Sequence, residues 1–109
     1  MKLITREIED KAPALHSQDD KSSTEIMIVA KFFNPCGAGT WYMTEYDPKQ
    51  RMGFGWCTLG FGPECDELGY FSIDELESIE GPLMIGIERD IHFTPCTLAS
   101  VMEKVQATL

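Results

Sequence analysis

The sequence is poor in positive charge, and one long stretch has none. Nine Lys and Arg residues stand against eighteen Asp and Glu residues, so the formal net charge is −9. Between Gly62 and Glu80 the chain has seven carboxylates and no Lys or Arg. Such a charge opposes attraction to phosphate backbones and to anionic membranes. We therefore expect no direct nucleic-acid partner and no membrane partner.

The acidic 62–80 segment has two interpretations. The first is a solvated surface that keeps the protein soluble. The second is a contact surface for a basic protein partner, including a DNA-binding protein that the segment would occupy by mimicking DNA. The residues of the segment leave both interpretations open.

The chain also lacks the spacing of metal-binding cysteines. Its four cysteines are separated by 21, 8 and 31 positions, so there is no CxxC pair of the kind that zinc sites use. His92 lies four positions before Cys96, but Pro95 between them breaks the regular geometry that would aim both at one ion. We expect no metal site and no cofactor, and reduced cysteines that act as small apolar residues.

Long hydrophobic runs are absent as well. The longest apolar run lies around IMIV and is far too short to span a bilayer. The N-terminal MKLITREIED contains charges and no small-residue cleavage site, so it does not predict a signal peptide. With 109 residues, of which 43% are hydrophobic, the chain suits one globular domain, 1–109, which we expect in the cytoplasm.

The hydrophobic pattern that is present predicts an α+β fold. Alternation and β-branched or aromatic residues indicate strands over 25–33, 40–47, 51–61 and 83–90. Gly, Pro, Asn and Asp residues between them indicate hairpin turns. We expect an antiparallel meander sheet of about four to five strands, covered on one face, with N-terminal, middle and C-terminal helices.

Capping residues indicate where these three helices begin. Thr5 precedes an acidic first turn, and Ser72 with Glu75 forms a capping box before an apolar stripe. Gly81-Pro82 is expected to end the middle helix. Apolar residues at helical spacing predict an amphipathic helix over 98–109, entered through Thr94-Pro95 or Thr97.

The sequence also lacks a recognisable set of catalytic residues. Only two histidines are present. His16 lies in the aperiodic segment 16–25, which is predicted to be a mobile loop, and His92 lies between two apolar residues, where a structural imidazole is favoured. The glycines of GAG at 37–39 lack the GxGxxG spacing and precede a strand. We therefore assign no catalytic residue.

The aromatic strand over 40–47 raises the question of a contact surface. Strict alternation puts Trp41 and Glu45 on one face and Tyr42 and Tyr46 on the other. We expect Trp41 on the core side and Glu45 held there by an Arg or Lys.

Arg89 offers a second candidate site. Alternation sends it to the face opposite Glu88 and Asp90, and a buried guanidinium requires a carboxylate partner. Glu45 and Glu67 are the candidates. One interpretation is an ion pair that stabilises the fold, and the other is a pocket for a small polar ligand or a peptide terminus.

Three separated motifs resemble one known family. FNPCGAGTWYMTEYD, ELGYFSIDELESIEG and IERDIHFTP, in this order, are similar to the bacterial DUF2958 family of uncharacterised small proteins, and the resemblance extends over nearly the whole chain. Members look like cargo of plasmids, phages and integrating elements, so the resemblance implies an accessory role in a mobile genetic element and no established reaction. The residues that the resemblance emphasises are Trp41, Tyr42, Glu45, Asp47, Glu67, Leu68, Gly69, Tyr70, Phe71, Glu88, Arg89 and Asp90.

Two functional hypotheses follow. The leading one is a non-enzymatic acidic interaction module whose contact surface joins the strand of Trp41, Tyr42 and Tyr46 to the acidic 62–80 segment. The alternative is a small enzyme or ligand-binding protein that holds a polar substrate between Arg89 and Glu45. The candidate binding residues are Trp41, Tyr42, Glu45, Glu67, Tyr70, Arg89 and Asp90.

Overall fold

A computed structural model describes residues 2–79 and 85–107. The helices are α1 (Arg6–Lys11), α2 (Ile73–Ser78) and α3 (Leu98–Ala107). The strands are β1 (Met27–Ile28), β2 (Ala30–Phe33), β3 (Thr40–Asp47), β4 (Met52–Thr58), β5 (Glu67–Ser72), β6 (Glu88–Arg89) and β7 (Cys96–Thr97). A single 3₁₀ turn, Pro63–Cys65, lies between β4 and β5.

The main sheet has the strand order β5-β4-β3-β2-β6, with every neighbouring pair antiparallel. Strands β2 to β5 form a meander, and the chain then passes through α2 before β6 joins the far edge beside β2. Strands β1 and β7 form a separate antiparallel pair. The α+β class, the antiparallel sheet and the three helices are confirmed.

Both faces of the main sheet are covered by other parts of the chain. The sequence predicts that only one face is covered. The first face carries Phe32 and Met43 and packs against the N-terminal segment, α1 and α2. The second face carries Tyr42 and Trp56 and packs against α3. The buried cluster of the first face consists of Leu3, Ile4, Ala30, Phe32, Met43, Tyr46, Phe71, Ile73, Leu76 and Ile87. The buried cluster of the second face consists of Ile28, Trp56, Leu98 and Val101.

Strand β3 carries a β-bulge at Thr44. Met43 pairs with Gly55 and Glu45 pairs with Phe54, so Thr44 is the extra residue with no partner in β4. Its hydroxyl donates a hydrogen bond to the Phe54 carbonyl at 3.1 Å. Because one residue is added on β3 alone, the alternation of side chains reverses beyond this point.

The bulge overturns the predicted face of Glu45. Tyr46 pairs with Gly53, two positions from Gly55, and therefore shares the first face with Trp41. Glu45 lies on the second face with Tyr42, so the prediction that Glu45 shares a face with Trp41 is wrong. The core-side position of Trp41 is confirmed, since it packs partly buried against the first-face cluster.

The predicted strand over 25–33 is interrupted at Val29. Ile28 pairs with Cys96 of β7, whereas Ala30 pairs with Met43 of β3. The Val29 N–H still donates to the Met43 carbonyl at 2.9 Å, so the backbone stays tied to β3 across the break. Ile28 thus joins the second-face cluster although Ala30 belongs to the first.

The strands after β4 differ most from the sequence prediction. Strands β5 and β7 have no counterpart in that prediction, and the strand predicted over 83–90 is reduced to β6, with residues 83–84 outside the described part. Ile87 is buried as expected, but Ile85 is 39% exposed rather than inward. Strand β6 follows a helix and pairs with a strand far away in sequence, so local alternation does not define its limits.

The three helix starts are those that the capping residues predict. Thr5 Oγ1 accepts a hydrogen bond from the Ile8 N–H at 3.1 Å, and Ser72 Oγ accepts one from the Glu75 N–H at 3.2 Å. Thr97 Oγ1 accepts from the Ser100 N–H at 3.2 Å. Helix α2 ends at Ser78, and the predicted Gly81-Pro82 stop lies outside the described residues.

The Ser72 cap has a measurable contribution to stability. Replacing Ser72 with Ala leaves the Glu75 N–H without its side-chain acceptor, and we expect the free energy of unfolding to fall by about 1 kcal/mol. Ser78 is the matched control, because it lies in the last turn of the same helix and does not cap the helix start. Urea unfolding of both alanine variants measures the difference, and equal midpoints would contradict the capping role.

Candidate functional site

Glu45 is buried, and backbone amides hold its carboxylate. The residue is 3% exposed, and its two oxygens accept hydrogen bonds from the His16 N–H at 2.9 Å and the Gln18 N–H at 3.0 Å. No Arg or Lys whose side chain the structure describes forms an ion pair with Glu45. The expected cationic partner is therefore wrong. The bulge turns Glu45 toward the chain that follows α1, where two N–H donors replace a cation.

The predicted mobile loop is tied to the sheet at its start. Its first residue, His16, adopts a left-handed backbone with φ of 69°, which few residues other than glycine adopt. The imidazole lies 3.2 Å from Asp19 Oδ2 through Nδ1 and 2.9 Å from Tyr70 Oη through Nε2. The Glu45 carboxylate and the Tyr70 hydroxyl thus fix His16 from two strands.

Asp19, His16 and Tyr70 form a hydrogen-bonded chain at the surface. The side chains of His16 and Asp19 are each 64% exposed, and Tyr70 is 52% exposed. A general base works on a positioned substrate from which bulk water is kept away. With all three side chains in water, the chain of hydrogen bonds fastens the loop to β5.

Arg89 does not meet either of its predicted partners. It pairs with Phe32 across β6 and β2, which places it on the first face, whereas Glu45 is on the second. Glu67 lies on β5 at the opposite edge of the sheet. The Arg89 Nη1 instead donates to the carbonyls of Lys2 at 2.6 Å and Leu3 at 3.2 Å. The guanidinium therefore fastens the N-terminal segment to the edge strand β6.

Arg89 and Asp90 line one common groove, and Tyr42 and Asp90 line another. The groove of Tyr42 and Asp90 has a volume of about 470 Å³ and is also lined by Lys31, Phe93 and Cys96. Lys31 Nζ is 3.6 Å from Asp90 Oδ2 and 5.7 Å from the centre of the Tyr42 ring. Because Lys31 and Asp90 neutralise each other, the groove has no unbalanced charge with which to select a charged ligand.

Burial disfavours the charged forms of one titratable side chain on each face of the sheet, Tyr42 and Cys57. Burial raises the pKa of Tyr42, and the nearby Cys96 and Asp90 raise it further. Burial likewise raises the pKa of the Cys57 thiol to about 11, with a smaller contribution from Glu67. A protonated thiol is a poor nucleophile and a poor metal ligand. In the described part of the chain, no group of three His, Cys, Asp or Glu side chains could hold a metal ion.

The acidic 62–80 segment does not form one surface. Arg51 forms ion pairs with Glu77 at 2.9 Å and with Asp74 at 3.4 Å. The other Glu77 oxygen accepts a hydrogen bond from the Leu3 N–H at 2.9 Å. The carboxylates of α2 are therefore partly used inside the fold, and Glu80 lies outside the described residues. Glu64 and Glu67 are exposed, at the other end of the segment.

Exposed apolar side chains lie close to those two carboxylates in the sequence. Phe61 is 73% exposed, Tyr70 52%, and Leu68 44%. Half of the eight large apolar side chains that are exposed in the described residues lie between 59 and 70. We call this region the corner surface, and it consists of Leu59, Phe61, Glu64, Glu67, Leu68 and Tyr70.

Two of the candidate residues predicted from the sequence, Glu67 and Tyr70, belong to the corner surface. The aromatic residues of β3 do not belong to it. Tyr46 is buried in the first-face cluster, and Trp41 packs against it. The sequence prediction misses Leu59, Phe61 and Leu68 as surface residues. Their only signal in the sequence is the presence of large apolar residues within an acidic, glycine-rich stretch, GFGPECDELGY.

Comparison with protein families identifies the chain. A family model described as Protein of unknown function (DUF2958) matches residues 3–108, which is nearly the whole chain. The chain belongs to the DUF2958 family. Comparisons with curated proteins and with solved structures give no match. The resemblance stated from the sequence motifs is thus confirmed, and the family description assigns no activity.

The three DUF2958 motifs have different roles in this structure. In the first, Glu45 fastens the chain after α1, and in the third, Arg89 fastens the N-terminus. The second motif includes β5 and α2, and on β5 its Leu68 and Tyr70 are exposed. None of the helices in the described part of the chain has the length and hydropathy that a membrane span needs.

Proposed function

We propose that this DUF2958 protein is a non-enzymatic interaction module that binds a basic protein through its corner surface. The observation that carries the proposal is that Phe61, Leu68 and Tyr70 are exposed in the same β4–β5 hairpin as the exposed carboxylates Glu64 and Glu67. The proposal retains the accessory role in a mobile genetic element that the family resemblance implies. The four cysteines are free thiols, which supports a reducing compartment such as the cytoplasm.

The apolar part of the surface provides the area for binding. Single exposed apolar side chains are ordinary, but neighbouring large ones commonly belong to a contact surface. Leu68 and Tyr70 are two positions apart on β5 and therefore point from the same face. Leu59 and Phe61 follow the end of β4, at the turn that leads into β5. The four side chains thus belong to one hairpin.

The charged part of the surface selects the partner. The ion pairs of Arg51 involve Asp74 and Glu77, whereas Glu64 and Glu67 form no ion pair with any of the described residues. The net charge of −9 adds a long-range field of the same sign. Such fields accelerate association with oppositely charged partners and disfavour others. A basic protein, including one that otherwise binds DNA, has the complementary charge.

The alternative, a ligand held between Arg89 and Glu45, has less support. The two side chains lie on opposite faces of the sheet, and both are engaged by backbone groups. The groove of Tyr42 and Asp90 remains as a concave feature, but its charges are balanced.

The proposal is tested by affinity capture from the host cell with three immobilised proteins. They are the parent, a double variant Phe61→Ser with Leu68→Ser, and the control Ile91→Ser. Ile91 is 69% exposed and belongs to the loop after β6, away from the corner surface, so the control removes a comparable apolar side chain. We expect a basic protein that the parent and the control retain and the double variant loses.

Two results would contradict the proposal. One is an identical set of captured proteins for all three baits, and the other is capture of acidic proteins only. Thermal unfolding of each bait is measured in parallel, so that a loss of binding is not confused with a loss of folding. The substituted side chains are exposed, and the melting temperatures are expected to agree closely.

A further inference from the structure

We infer that the corner surface binds its partner by strand addition: an extended basic segment pairs with the free edge of β5. The inference rests on the proposed function and specifies the mode of binding and the chemistry of the segment. Its basis is the coincidence of an unpaired edge, two exposed apolar side chains, an open position at Gly69 and an unneutralised carboxylate.

The edge of β5 is the first observation. In the described residues β5 pairs with β4 alone, and β4 lies on one side of it. The backbone N–H and C=O groups that point away from β4 therefore lack strand partners. A free edge of six residues, Glu67–Ser72, is long enough to accept another strand. Natural proteins protect such edges with lysines, prolines or short length, and β5 has no Lys or Pro.

The side chains of β5 differ between the two faces of the sheet. Leu68 and Tyr70 project from the second face, where Tyr70 also contacts the Phe54 ring with 4.9 Å between ring centres. On the first face, Gly69 has no atom within 4 Å of the position that a Cβ would occupy. Glu67 lies on the same face as Gly69. An added strand would thus meet Leu68 and the Tyr70 ring, whose hydroxyl is hydrogen-bonded to His16, on one face and open space beside a carboxylate on the other.

This arrangement specifies an alternating partner segment. On the second face its side chains would be apolar and contact Leu68 and Tyr70. On the first face a long cationic side chain, Lys or Arg, would occupy the space over Gly69 and reach Glu67. Side chains on an added strand alternate in this way because the strand period is two.

A second copy of this chain is the competing occupant of the edge, and charge disfavours it. Pairing β5 with β5 of another copy would bring two acidic segments together, and each copy has a net charge of −9. Repulsion between two bodies of the same large negative charge opposes their association. We therefore assign the edge to a basic partner strand.

The test uses an end-capped octapeptide of alternating Lys and Val as the probe. A peptide of the same composition in the order KKVVKKVV controls for charge alone. Two further peptides have N-methyl groups on all Lys or on all Val residues. Adjacent amides of a strand point to opposite sides, so only one of the two methylated peptides loses the hydrogen bonds to β5. Calorimetric titration into the intact protein measures all four affinities.

The expected result is asymmetric. The alternating peptide binds, one methylated peptide binds at least about tenfold more weakly, and the other keeps the parent affinity, because strand addition depends on backbone hydrogen bonds. Backbone amide exchange of β5 slows when the alternating peptide is present. Gly69→Leu fills the open position and Glu67→Lys reverses the charge, so both variants bind the peptide more weakly. Glu103→Lys makes the same change of net charge on α3 and binds like the parent.

Other results would overturn the inference in recognisable ways. Equal binding of both methylated peptides would show that the surface binds through side chains, which refutes strand addition while the capture experiment can still succeed. If the KKVVKKVV peptide bound as tightly as the alternating peptide, charge alone would account for the binding. The requirement for an alternating sequence would then be refuted. No peptide binding, together with a dimer in sedimentation equilibrium that Gly69→Leu dissociates, would assign the edge to a second copy.

Discussion

Replacing Glu45 with Gln is expected to lower the free energy of unfolding by about 3 kcal/mol, because a buried charge-assisted pair of hydrogen bonds is disrupted. The parent carboxylate offers two acceptor oxygens, and the N–H groups of His16 and Gln18 each donate to one of them. A glutamine amide offers only one oxygen, so its NH₂ group would face an N–H donor at a site that is 3% exposed. Urea unfolding of the variant measures the loss.

A local measurement separates this effect from a general loss of packing. Amide exchange should accelerate at His16 and Gln18 in the Glu45→Gln variant, well before global unfolding. Glu25→Gln is the control, because Glu25 is exposed and makes the same chemical change. We expect the control to match the parent within about 0.5 kcal/mol. A Glu45→Gln variant with parental stability would show that the carboxylate is not what holds the loop.

Replacing Gly55 with Ala is expected to have an effect as large or larger. A Cβ at Gly55 would overlap the backbone carbonyl of Tyr42 and approach the Met43 Cα to 3.0 Å. Both obstacles are backbone atoms of the neighbouring strand, so no side-chain rotation relieves them. We expect a loss of at least about 3 kcal/mol, the upper range for forced backbone shifts in a packed core.

Gly69 provides a control within the same cross-strand pair. It lies directly opposite Gly55 in the pairing of β4 with β5, yet a Cβ added at Gly69 would have no neighbouring atom within 4 Å. Gly69→Ala should therefore leave the melting temperature within a few degrees of the parent. Thermal unfolding of the two alanine variants compares a glycine position with no room for a Cβ and one with room for it, in the same sheet. Equal melting temperatures would mean that β3 and β4 can move apart at the bulge without cost.

Local features of the fold could be predicted from the sequence because their causes lie within a few residues. Ser72 caps α2 through the amide three positions later, and Thr5 caps α1 in the same way. Glycines at 53 and 55 within a strand pattern indicate room for a bulge or a facing aromatic ring. The bulge is at Thr44, beside Gly55, and the Phe71 ring lies over Gly53.

The candidate site could not be predicted in the same way, because it depends on register and strand order. The glycines of β4 allow a bulge but do not specify which residue of β3 is the extra one, and a one-residue shift moves every later side chain to the other face. The position of β6 beside β2 separates Arg89 from Glu67 by three strands. The exposed edge of β5 is likewise a property of the whole sheet, since the same sequence in a central strand would be buried.

The sequence separation between contacting residues has consequences for the order of folding. Strands β2 to β5 are joined by short connections and can pair locally, but the Leu3 N–H meets Glu77 across 74 positions of sequence. Strand β1 must wait for β7, which begins only at Cys96. Contacts between distant positions form slowly because the intervening chain must first be ordered. A ribosome-bound chain would therefore present an assembled meander whose second face stays uncovered around Trp56 until α3 has been synthesised.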